Sequence, residues 1–167
     1  IREKLTYCHD IGISADNVEF RLAHTYPQRD QIVQYNESDL AFISRMMEHW
    51  GLFYFFEPGD SGDKLVIADA NVAFPNLQDG TFDYRPQSGL ASADETAVHA
   101  LSCIRRAGPK KVQLKEYNYR LPHVALYAEQ AADDGGFGSY VEYGAHFRNP
   151  EEGATVARVR AEELVSR

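Results

Sequence analysis

The sequence predicts an α+β fold: mainly antiparallel strands with a few packed helices. Three observations carry that expectation. Residues 34–57 hold a capped helical pattern that stops at Gly51 and runs straight into an aromatic strand. Leu52–Glu57 and Lys64–Asp69 are apolar runs separated by Pro58, Gly59 and Gly62, with polar residues between them, so they read as a hairpin. The tail opens a further helix with Asn149, Pro150 and Glu152 in the order of a helix start.

In chain order, Ile1, Leu5 and Cys8 share one helical face over residues 1–9, and Ile11, Gly12 and Ile13 end that helix. Val18–Leu22 alternates and reads as a strand, residues 25–30 as a loop, and Gln31–Tyr35 as a second strand. Over about 38–50, Asn36 or Ser38 is the cap, with Asp39 at the positive end of the helix dipole. Leu40, Ile43, Met47 and Trp50 recur at helical spacing and are widened by Phe42 and Met46, a stripe broader than a surface helix needs. Gly51 suits the left-handed position that closes a helix. The hairpin packs on this helix. Val98–Arg106 and Lys111–Arg120 read as strands flanking Ala107, Gly108 and Pro109; residues 132–138 read as a loose loop and Tyr140–Tyr143 as a short extended piece. Ala157, Ala161 and Leu164 make the narrow apolar face of the last helix.

A length of 167 residues fits one or two compact domains. The best linker candidate, residues 85–95, divides the chain into 1–90, a helix–strand–helix–hairpin domain, and 91–167, a set of strands ending in a helix. The formal net charge of −8 argues against a broad nucleic-acid footprint, which needs clustered cations. No apolar run is long enough to span a bilayer, and no signal peptide is visible. Cys8 and Cys103 sit in no disulfide or metal pattern and read as reduced, buried thiols. The chain opens at Ile1, without Met, in one helical pattern and closes at Arg167 in another, so an excised piece of a longer polypeptide is expected.

Five constellations invite a chemical reading. Gly59, Asp60, Ser61 and Gly62 spell the surroundings of a protease nucleophile, but these are turn residues and no histidine stands in a matching context. His99 and Cys103 are spaced like helical metal ligands, yet they lie in a segment read as a strand. Four strand residues span about 13 Å, whereas two ligands of one zinc ion sit within roughly 4 Å. Gly135–Ser139 is one truncated copy of a calcium-binding repeat, and such sites need stacked copies. Glu37 with Asp39, and Glu162 with Glu163, read as helix-surface charges rather than an acid–base pair. Arg105, Arg106, Lys110, Lys111 and Lys115 are the one basic cluster. It is either a solvated hairpin that guards an edge or a docking patch for an acidic protein surface. No catalytic, cofactor-binding or metal residues are assigned.

Gln34, Tyr35, Glu37, Ser38, Asp39, Phe42, Ile43, Arg45, Met47, Glu48, Gly51 and Phe53–Phe55 together resemble the signature segment of VgrG proteins, the tip components of bacterial type VI secretion systems. Leu65–Asp69, Phe82–Pro86, Lys111–Tyr119 and Ala157–Glu163 extend the resemblance over nearly the whole chain. The resemblance implies a barrel-like piece of the spike base, related to bacteriophage baseplate hubs. It further implies a homotrimer with pseudo-sixfold symmetry that seats on the hexameric tube protein Hcp and carries a puncturing needle. No catalytic residue or cofactor comes with it. Implied partners are further copies of the chain, an Hcp-like tube and effectors, with no nucleic acid and no stable membrane insertion. Implied localisation is assembly in the bacterial cytoplasm followed by expulsion to the extracellular space or a target cell. The expected function is therefore mechanical and non-enzymatic. The alternatives are a phage tail hub resembling late control protein D and, remotely, a serine hydrolase using Ser61.

Overall fold

The computed structural model describes residues 1, 4–5, 17–59, 62–76, 80–85, 97–104 and 106–166. Two compact units are present: Ile1–Ala73 with Ala107–Arg167, and Phe74–Arg106.

The larger unit contains two three-stranded sheets, each with one helix on it. The first joins β1 (Val18–Arg21), β2 (Phe53–Glu57) and β3 (Lys64–Ala68) in the order β1-β3-β2. β2 and β3 form the expected antiparallel hairpin, with Tyr54 opposite Ile67, while β1 runs parallel to β3, with Phe20 opposite Ile67. Helix α1 (Asp39–Trp50) packs on this sheet. It starts because Ser38 Oγ accepts from the Ala41 N–H, and it ends because Gly51 turns left-handed at φ 67° and donates to Glu48 O. Phe42, Ile43 and Met47 bury against Ile67, flanked by Val18, Phe20 and Leu65. Leu40, expected in the stripe, faces solvent.

The second sheet joins β4 (Lys111–Glu116), β5 (Leu126–Ala131) and β6 (Ser139–Tyr143) in the order β5-β4-β6. β5 is antiparallel and β6 parallel to β4. Helix α2 (Pro150–Ser166) covers one face, and Val112, Leu114, Leu126, Ala128, Phe147, Val156, Ala157 and Ala161 form the core between them. Asn149 Oδ1 accepts from the Glu152 N–H at 2.8 Å, and the Glu152 carboxylate reaches back to the Arg148 N–H at 2.9 Å. This is the reciprocal capping that the sequence announced.

The α+β class holds. Among the described residues neither sheet closes into a barrel, and each combines an antiparallel with a parallel pairing. Three expectations change. Among the described residues Gln31–Tyr35 takes no ladder, because no described strand runs beside it to receive its backbone groups. The described residues of Val98–Arg106 form no strand: one parallel bridge, Tyr84 to Val98, is their only pairing, and Leu101 and Ile104 are exposed. The 132–138 loop is pinned rather than loose, since Phe137 N–H donates to Gly108 O at 2.9 Å and Ala132 N–H to Lys110 O at 2.9 Å. The helix expected over 1–9 and the linker over 85–95 fall largely outside the described residues; Lys4 and Leu5 are helical, and Leu5 is buried.

Candidate functional site

Three surfaces of the larger unit gather chemistry. On the first sheet, residues paired across strands share a face. Leu65 and Ile67 point to α1, so Val66, Ala68, Phe53, Phe55, Glu19, Arg21 and Glu57 occupy the opposite side. There Arg21 donates to both oxygens of Glu57, at 2.6 and 2.7 Å, and to Glu19 at 2.7 Å, while Lys64 meets Glu19 at 3.2 Å. Arg21, then Lys64, hold the Glu19 carboxyl down at about 2. Phe53 and Phe55 stack beside this network with ring centroids 6.4 Å apart. Tyr54 and Phe56 share the α1 side but stay exposed, because the helix covers β1 and β3 and leaves β2 bare.

At the end of β3, Asp69 is a hub. Its buried carboxylate accepts from the N–H groups of Ala23 and His24, at 2.7 and 2.9 Å, and from the Tyr26 hydroxyl at 2.7 Å. Burial pushes its pKa up, but these hydrogen bonds outweigh it and hold the group at about 2. Burial, then Asp69, raise the Tyr26 phenol. Asp69 therefore fastens the 22–26 segment to the sheet.

The second surface is the face of β5-β4-β6 turned away from α2. It carries Tyr127, Val141 and Tyr143, which are 51, 70 and 69% exposed, together with Lys111, Gln113, Lys115 and Glu129. The polar members are ordered. Glu129 accepts from the Tyr127 hydroxyl at 2.6 Å, from Gln113 at 2.7 Å and from Lys111 at 3.1 Å, and in that order they hold its carboxyl at about 2.

The third surface is an open cleft of about 710 Å³ lined by residues 29–33, 116–120 and 146–148 together with Arg45, Met46, His49 and Trp50. Arg29 is half of a well-covered ion pair: it meets Glu152 at 3.2 Å, with 13 and 12% of the two side chains exposed, and lies 5.3 Å above the Trp50 ring. Burial, then the nearby charge of Arg29, lower the His49 pKa and keep the imidazole neutral. Asp30 stands between Arg148 at 3.4 Å and Arg120 at 3.7 Å. Glu116 accepts from the backbone N–H groups of His146 and Tyr117 at 2.7 and 2.8 Å. Each carboxylate here is committed to cations or backbone donors, an arrangement that supports binding more than proton transfer.

The residues singled out from sequence scatter. Asp60, Ser61, Cys8 and Arg105 lie outside the described residues, while Gly62 N–H donates to Gly59 O at 3.2 Å as the turn reading requires. His99 Nδ1 lies 3.0 Å from Arg85 O, and Cys103 is a free thiol that is exposed, not buried as expected. Glu37 pairs with Arg45 at 2.6 Å and Asp39 with Lys4 at 3.2 Å; Glu162 pairs with Arg158 at 2.9 Å and Glu163 with Arg160. Lys111 of the basic cluster is taken up by Glu129. Among the described residues no helix is long and apolar enough to cross a membrane. Sequence reading missed Asp69, Glu129 and the Arg29–Glu152 pair; their signal, a lone charge in or beside an apolar run, was present only for Asp69.

The profile of the phage tail baseplate hub (GPD) family matches residues 5–167. The chain is 32% identical to the type VI secretion system spike protein VgrG5 of Pseudomonas aeruginosa, over 93% of this chain and 21% of that protein. It is 33% identical to VgrG4b of the same organism, over 70% of this chain and 14% of the relative. To the actin cross-linking toxin VgrG1 of Vibrio cholerae it is 31% identical, over 68% of this chain and 10% of the toxin. The chain thus spans about a fifth or less of the length of these relatives.

Proposed function

Because the chain belongs to the phage tail baseplate hub family, with VgrG spike proteins among its relatives, we propose that it builds part of the base of a VgrG-type spike. In this reading three copies form the base, seat on an Hcp-like tube and carry the puncturing needle, with effectors as further cargo. The part is mechanical: it transmits load and catalyses nothing. It is assembled in the cytoplasm and expelled with the tube. The boundary near residue 90 separates two pieces of the base.

The observation that carries the reading is the exposed row Tyr127, Val141 and Tyr143 on an otherwise ordered sheet face. Large apolar groups held on a rigid sheet are the makings of an obligate interface, which typically buries about 2,000 Å² or more. A phage tail hub resembling late control protein D is the second reading, favoured by the family profile itself. A hydrolase on Ser61 has no supporting observation.

The test replaces Val141 and Tyr143 with lysine in the intact polypeptide. Native mass spectrometry should find the trimer lost, and tube protein should no longer leave the cell. A trimer of normal mass with normal export would refute the assignment of this face.

A further inference from the structure

The two halves of the larger unit, each a helix on a sheet, have separate cores. Phe42, Ile43, Met47 and Ile67 are buried together in one, and Val112, Leu114, Phe147 and Val156 in the other. Among the described residues, none belongs to both. The open cleft is lined from both halves, by residues 29–33 and the end of α1 on one side and by residues 116–120 and 146–148 on the other. It marks the seam between them.

The hydrogen bonds and ion pairs described across this seam start at two neighbours, Arg29 and Asp30. They differ in cover. Asp30 meets Arg148 at 3.4 Å and Arg120 at 3.7 Å, and all three side chains are open to solvent, so these pairs contribute little. Arg29 is enclosed. Its guanidinium lies 5.3 Å above the ring of Trp50, in the last turn of α1, and donates to His146 O at 3.3 Å. It also meets Glu152 Oε2 at 3.2 Å, with both side chains largely covered. That same oxygen accepts from the Arg148 N–H at 2.9 Å in the capping of α2. One side chain thus ties the end of α1 to the start of α2. The apolar contact nearby is thin, since Val159 of α2 stands beside Gly51, which has no side chain to offer it.

We propose that Arg29 is a latch: while its guanidinium holds Glu152, the two halves open as one cooperative unit, and without it each core opens on its own. A covered ion pair that loses one partner leaves the other charge uncompensated, so the latch resists any parting of the seam. Separate cores joined by a thin seam are the natural units of independent opening. In a part that transmits load, the latch makes two cores respond as one body; that consequence alone rests on the mechanical reading of the chain.

The test is native-state hydrogen exchange of the 167-residue chain, followed by mass spectrometry across a series of low urea concentrations. Amides of β3 report the first half and amides of β4 the second. In the native chain both should converge on one opening reaction. In Arg29→Met, which keeps an apolar stem over Trp50, they should part. β3 should then exchange about tenfold or more faster than β4, because its buried core is the smaller. Glu152→Gln should part them likewise, and glutamine still serves the cap, so loss of capping would not account for it. Asp30→Asn should leave them converged. Independent opening in the native chain would overturn the proposal. Equal acceleration of both halves in the latch variants would do the same, because plain loss of stability gives that result. So would a divergence in Asp30→Asn as large as theirs, which would place the coupling in the exposed pairs. If one latch variant fails to fold, the other decides; if both fail, the proposal falls, because it requires each core to stand without the latch.

Discussion

Arg21 on one edge strand grips Glu57 on the other edge strand, with both guanidinium arms on both carboxylate oxygens at 2.6 and 2.7 Å. Between them runs β3, so the pair lies across the face that carries Val66, which has no exposed surface. Arg21 also donates to Ala73 O at 3.1 Å, tying the 3-10 turn Asn71–Ala73 to the same point. One side chain thus joins β1, β2 and the segment that leaves β3. Replacing Arg21 with methionine should lower the melting temperature measured by circular dichroism. Lysine should restore only part of the loss, because an ammonium cannot make the two-armed contact.

Asp69, Glu19 and Glu129 all sit at about 2 in the folded chain, below the ordinary carboxylate values of about 4. A group whose folded pKa is lowered binds its proton less readily when folded. Its stabilisation is complete above the unfolded pKa and lost as pH falls toward the folded one. Urea titrations should therefore show stability level above about pH 5 and falling between about pH 4 and 2. Asp69→Asn should flatten that fall. A stability that rises on acidification would contradict the assignment.

Asp69→Ala leaves the N–H groups of Ala23 and His24 and the Tyr26 hydroxyl without their acceptor. The expected loss is about 1–3 kcal/mol in chemical denaturation. Hydrogen exchange should quicken first at residues 22–26, ahead of the hairpin, because Asp69 is what holds that segment down.

Gly153 lies in the first turn of α2, where an added β-carbon would fall 2.8 Å from the ring of buried Phe147. Gly153→Ala should cost about 1–3 kcal/mol through overpacking, despite the better helix propensity of alanine. Gly51→Ala should cost about 1–2 kcal/mol through its left-handed backbone alone. Val159, whose methyl carbons stand 3.0 Å from the added carbon, makes that a lower bound. Guanidinium denaturation of both variants measures this. A neutral Gly153→Ala would show that Phe147 can yield.

Val141→Lys with Tyr143→Lys should leave the melting temperature of the 167-residue chain nearly unchanged, since exposed positions shift stability by only about 0.5 kcal/mol. Loss of fold in that variant would mean that these side chains support the chain internally rather than an interface.

Both long helices, their caps and the β2–β3 hairpin could be read from residue order. Ser38, Gly51, Asn149 and Glu152 act on backbone groups within four residues of themselves, so the chain announces them locally. The aromatic strand also kept its alternation, with Phe53 and Phe55 on one face and Tyr54 and Phe56 on the other. Strand partnership was different. Among the described residues Gln31–Tyr35 joins no ladder and Val98–Arg106 pairs at one bridge alone, whereas Leu126–Ala131 is a strand although alanine, glutamate and glutamine favour helix. β5 is a strand because β4 offers its backbone and α2 buries Leu126 and Ala128. The candidate surfaces depend on the same distant events: Asp30 meets Arg148, and Arg29 meets Glu152, across more than a hundred residues of chain. Sequence by itself determined what hydrogen bonds reach within a turn. Tertiary structure decided which edges met, because a ladder needs two strands and neither one encodes the other's arrival.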